Sequence, residues 1–155
     1  MAKGSLVAGL AGVVLGVASS VVTLPGAVLP SKAHAEPDQR RARLYLAELA
    51  MLLEGARRLL LWTETHIGDP EFARFAHPLA EEYVDLAGRL VPPEKLINAH
   101  PHLLMVAENV ERALDAAAAG DTPSFRQRAR IVREELLTLE SVLKQLKVRL
   151  PELAR

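Results

Sequence analysis

The chain has 155 residues, no cysteine, 19 basic against 19 acidic side chains, and only six Phe, Trp and Tyr residues together. Lack of cysteine excludes disulfides, thiolate metal sites, c-type haem attachment and thiol redox chemistry, and the balanced charge gives nucleic-acid binding no electrostatic support. Leu and Ala are abundant while Ile, Thr and aromatics are sparse, a composition that favours helix over sheet.

Lys3 is the only charge before an uncharged run from Gly4 to Ser31, after which Ala33-His34-Ala35 leads into a polar chain at Glu36. A positive start, an apolar middle, a proline (Pro30) and small residues at the processing site make a secretory signal peptide. Cleavage is predicted after Ala35, giving an exported, periplasmic protein. The alternative is an uncleaved inner-membrane anchor, since about 20 apolar residues can span a bilayer as one helix. Removal of 1–35 takes away Lys3 and Lys32 and leaves 120 residues with 17 basic and 19 acidic side chains. That length suits one domain, 36–155, able to bury roughly two-thirds of its unfolded surface without staples.

Four amphipathic segments follow. The first, 37–67, carries Leu46, Leu49, Leu52, Leu53, Ala56, Leu59 and Leu60 on its apolar side. Gly68-Asp69-Pro70-Glu71 then reads as helix end, N-cap and first turn of the next. The second segment, 70–91, has a stripe of Phe72, Phe75, Ala76, Leu79, Tyr83, Leu86 and Leu90, and Pro92-Pro93 closes it. Pro78 lies inside it, removing a donor and crowding the carbonyl four residues back, so a kink or a break is expected, with 70–76 as a separate short helix in the latter case. The third segment, 98–119, takes Pro101 into its first turn and aligns Leu103, Val106, Ala107, Val110, Ala113, Leu114 and Ala117. Gly120-Asp121-Thr122-Pro123 signals the fourth, 123–150. There Phe125, Ala129, Val132, Leu136, Leu139, Leu143, Leu146 and Leu150 repeat in steps of four and three, a coiled-coil seam. Short links between amphipathic helices predict an all-α, up-down-up-down (antiparallel) four-helix bundle.

Histidines form the one suggestive cluster. His77 and His100 each stand between alanine and proline, and His102 follows Pro101. Imidazole is a good ligand for zinc or copper, so His100 and His102, with His77 as a third, are metal candidates. Capping and surface roles are the plainer account, because a two-histidine pattern has low specificity. Glu-x-x-His pairs of a di-iron bundle are missing, and Met51 and Met105 read as core fillers, not haem ligands. No cofactor is expected. Neither a nucleophile elbow nor a Gly-rich phosphate loop occurs, and acidic groups such as Glu81, Glu82 and Asp85 fall on polar helix faces, so no catalytic residue is assigned.

Two features point to interaction. Arg126, Arg130 and Arg133 share one face of the fourth segment, suited to an anionic partner or a lipid headgroup, or else to pairing with acids such as Glu134 or those across the bundle. Trp62, with Leu59, Leu60 and Leu61, gives four large apolar residues in a row, more than one helix face can hide. Phe72 and Phe75 could fold over them. In outline the processed chain resembles periplasmic four-helix modules of the cytochrome c-prime kind, but the Cys-x-x-Cys-His and core axial ligands of such bundles are missing. So is the Leu-Thr-x-x-Gln signature of periplasmic stress-adaptor bundles. The expectation is therefore a non-enzymatic bundle acting through a protein partner or a homo-oligomer, touching membrane only through residues 1–35 if these stay attached.

Overall fold

Asp69 and Asp121 start two of the helices by the same device. In the computed structural model, which describes residues 35–151, the Asp69 side chain accepts from the Glu71 amide at 2.8 Å and that of Asp121 from the Ser124 amide at 3.1 Å. Each supplies an acceptor to a first-turn N–H that has no partner within the helix. The elements are α1 (Ala35–Glu64), α2 (Pro70–Arg89), a 3-10 turn (Glu94–Leu96), α3 (His100–Ala118) and α4 (Thr122–Gln145). Helix is the only regular structure among the described residues, and the expectation of an all-α, four-helix chain holds. Residues 1–34, with the predicted signal segment, lie outside the described residues, and so do 152–155. Arg40–Arg155 forms one compact unit; of the other, Met1–Gln39, only the opening turn of α1 is described.

α3 packs against both α2 and α4. α1 meets all three: the Tyr83 hydroxyl donates to the Leu52 carbonyl at 2.6 Å, Tyr45 Oη lies 3.1 Å from His100 Nδ1, and Arg57 pairs with Glu140. Residue order runs oppositely in the two hairpins. Leu52 meets Tyr83 and Trp62 meets Phe72, while His102 meets Glu135 and Asn109 meets Arg128. The core between them holds Leu49, Leu53, Phe72, Tyr83, Val106, Leu114, Phe125 and Leu139, all buried. Each such side chain contributes roughly 1.5–3 kcal/mol by leaving water.

Helix bounds fall within three residues of the expected spans except at the end of α4, and two departures, at Pro78 and at that end, have a local reason. α2 runs unbroken from Pro70 to Arg89 with Pro78 inside it, so the separate 70–76 helix does not form. Pro78 is exposed, which leaves the Arg74 carbonyl that lost its donor to the solvent side, while buried Ala76, Leu79 and Ala80 hold the flanking turns. α4 stops at Gln145, five residues short of the expected 150. Lys147 takes φ 56°, its amide donates to the Lys144 carbonyl at 3.0 Å, and the Val148 amide reaches back to Leu143 at 2.9 Å. That is a Schellman stop, here with lysine where glycine is usual. The seam therefore ends at Leu143; Leu146 and Leu150 lie beyond it.

The α1–α2 and α3–α4 connections are tied together. Gly120 closes α3 with φ 72° and donates to the Ala117 carbonyl at 3.0 Å. Gly68, at φ 77°, donates to the same carbonyl at 2.9 Å from the other connection. A Cβ on either glycine would sit 3.7–3.8 Å from the other's Cα, so the two backbones lie nearly against one another.

Candidate interaction surfaces

The histidines go to separate partners. His100 Nδ1 takes the Tyr45 hydroxyl, and burial pushes the imidazole's pKa down, so the neutral ring that accepts this hydrogen bond is favoured. Burial likewise raises the Tyr45 phenol to about 12. His102 Nδ1 lies 2.9 Å from Glu135 across the α3–α4 contact. His77 is exposed on α2, with Nε2 3.2 Å from Glu81 and Nδ1 3.7 Å from Asp115 of α3. His66 donates from Nδ1 to the Trp62 carbonyl at 2.7 Å. Among the described residues no three or more metal-ligating side chains gather into one set. Metal binding at His77, His100 and His102 would need two-residue sites completed by water.

Around the linked glycines lies one end of the unit. Trp62 is half-buried there, with the Phe72 ring edge-on at 5.2 Å and the His66 ring at 4.9 Å. Of the two residues that could fold over the apolar run 59–62, Phe72 does so and Phe75 does not. Leu59 and Leu60 are buried, but Leu61 stays 64% exposed, and Phe75 is also uncovered. Thr63 is fully buried beside them, and its hydroxyl has no hydrogen-bond partner among the described residues.

The arginines of α4 divide by face. Arg128 is half-buried and donates to Asn109 Oδ1 at 3.3 Å, helping to satisfy a buried amide whose nitrogen goes to the Met105 carbonyl. Arg126, Arg130 and Arg133 are exposed. Arg130 reaches Glu134 at 3.8 Å, and among the described residues Arg126 and Arg133 have no carboxylate within 4.0 Å. Glu81 and Asp85, which could have neutralised the patch across the bundle, are instead beside His77 and Arg89.

Among the described residues, seven of the nine exposed large apolar side chains lie away from the linked glycines: Leu44, Val91, Ile97, Leu104, Met105, Leu137 and Leu146. Sequence reading missed this surface, because periodicity assigned Leu146 to the seam, Met105 was read as a core filler and Val91 was placed at the end of the second helix, which stops at Arg89 instead. The unmatched signal was Val91-Pro92-Pro93, an apolar side chain with no helix stripe to join. The Schellman stop shapes an open groove of about 420 Å³ lined by Leu143, Lys144, Lys147, Val148 and Arg149, together with Glu140, which pairs with Arg57. No helix among the described residues is long and apolar enough to cross a membrane. Comparison with protein families, curated proteins and solved structures found no match for this chain.

Proposed function

We propose that the chain is an exported, non-enzymatic, up-down-up-down bundle that works by holding a protein partner at its linked-glycine end. The opposed residue order in the two hairpins supports the topology. The observation that carries the function is the coincidence at one end of uncovered apolar groups, Leu61 and Phe75, with half-buried Trp62 and the uncompensated cation Arg126. Tryptophan and arginine are among the side chains that most often dominate interface energetics, and unpaired cations select an acidic partner and speed its encounter. Arg130 and Arg133 extend the charge along α4.

A photo-crosslinker placed at Leu61 in the native host tests this reading. A discrete adduct is expected, lost when Arg126, Arg130 and Arg133 are all changed to Glu while helix content is unchanged. An adduct indifferent to that reversal, or none, refutes it. Metal binding through His100, His102 and His77 draws less support, since each imidazole is committed elsewhere. Stoichiometric zinc or copper in protein taken from its own compartment would favour it.

A further inference from the structure

The end of the unit opposite the linked glycines combines apolar exposure with cations in a way the fold does not need. The Tyr45–His100 bond sets the first turns of α1 beside the start of α3. The α2–α3 connection ends there, and the His102–Glu135 contact carries the last turns of α4 past the same point. Val91 is 84% and Ile97 58% exposed in the connection, with Leu44 on α1 and Leu146 after α4 also uncovered. Around them stand exposed Arg40, Arg41 and Arg43 of α1, Lys95 of the connection, and the groove cations Lys144, Lys147 and Arg149, which outnumber the acids Asp38, Glu94 and Glu140 of the same segments. Cations at a helix C-terminus complement its dipole, which accounts for Lys144. That rule does not explain why valine, isoleucine and leucine stand among them unpacked.

We propose that this end seats on an anionic lipid surface, with Val91, Ile97 and Leu146 entering the headgroup layer and the Lys144–Lys147–Arg149 groove taking a lipid phosphate. Apolar side chains ringed by lysine and arginine are what an interfacial site requires, because the two attractions add. Chain direction gives the same answer. The uncharged run Gly4–Ser31 precedes α1 in the sequence, so if it is retained as an anchor it tethers the chain to the bilayer from the N-terminal side of α1. A second copy suits the surface less well. A two-fold contact would bring the same cation-rich patch of both copies together, and like charges brought together oppose association.

The full chain carrying Trp62→Phe with Ile97→Trp, mixed with vesicles of bromine-labelled phosphatidylcholine and phosphatidylglycerol, tests the proposal. The introduced tryptophan should shift to the blue and be quenched by the bromolipid, whereas Trp62 of the unaltered chain, at the far end, should not. Val91→Trp reports on the same end should the first variant fail to fold. Lys144→Gln with Lys147→Gln should lower the docked-to-undocked ratio roughly 25-fold, at about fivefold per cation. Equal quenching at both ends, or none at Ile97→Trp and Val91→Trp, overturns the proposal. So does insensitivity to phosphatidylglycerol, or a blue shift that appears on concentrating the protein without lipid, the mark of self-association.

Discussion

Thr63 and His100 show how single side chains are constrained by the packing around them. A threonine inside a helix ordinarily returns its hydroxyl to the carbonyl one turn back, yet Thr63 is buried without that bond. Replacing it with the near-isosteric valine removes an unpaired polar group, so Thr63→Val should stabilise the fold by about 1 kcal/mol in urea denaturation. His100 titrates below its ordinary 6.5 in the fold because burial disfavours the imidazolium. The unfolded chain then binds the proton more readily. Stability is complete above pH 6.5 and falls as pH drops from there toward the folded-state value. Thermal melts of native and His100→Gln protein should accordingly converge in their pH dependence above 6.5 and diverge below it. Asp121 works in a lower window. Hydrogen bonds from Ser124 hold its carboxyl below 3.8, so its stabilising effect is present above 3.8 and lost as pH falls beneath it.

At the scale of elements, the helices were legible because their stripes and stops are local chemistry. Asp69-Pro70 and Asp121-Thr122 place the starts of α2 and α4 to within a residue, since a capping aspartate acts within one turn, whereas α1 ends three residues before the 67 that Gly68 suggested. The end of α4 was misread for a different reason. Leu146 and Leu150 continue the four-three spacing, but a seam needs a facing helix, and α3 begins at His100, paired near Glu135, leaving the last turn of α4 little to pack on. The chain turns instead at Lys147, which holds a left-handed φ of 56° that disfavours any side chain. Lys147→Gly should therefore raise stability by about 0.5–1 kcal/mol, partly offset by the greater freedom of unfolded glycine. A shift of a few degrees in melting temperature checks it. Pro78 was read as a kink or break because the missing N–H is certain from sequence; that its turn faces solvent is not.

Across the whole molecule, the Gly68–Ala117–Gly120 knot and the contacts of α1 with each other helix make one cooperative structure. Trp62 fluorescence, which reports the knotted end, and far-UV circular dichroism, which reports all helices, should lose their native signals at one denaturant concentration. Separate midpoints would mean that the hairpins unfold independently. Gly120→Ala forces a side chain onto a left-handed residue at that knot and should cost about 1–2 kcal/mol while leaving the two midpoints coincident. N-terminal sequencing of the protein from its native host should begin at Glu36; a start at Met1 or Ala2 would identify a retained anchor instead.

Helix number, helix starts and the burial of the main stripes were determined by the amino-acid order alone, because periodicity, caps and breakers act over one or two turns. Placement of the histidines was not: His77, His100 and His102 read as a possible ligand set, and the fold sends them to Glu81 and Asp115, to Tyr45 and to Glu135. The two surfaces also emerged only from the assembled fold. Whether Leu61, Val91 or Ile97 is covered depends on which residues from distant segments arrive beside it, and that is set by how the helices stack, a property no single stretch of chain contains.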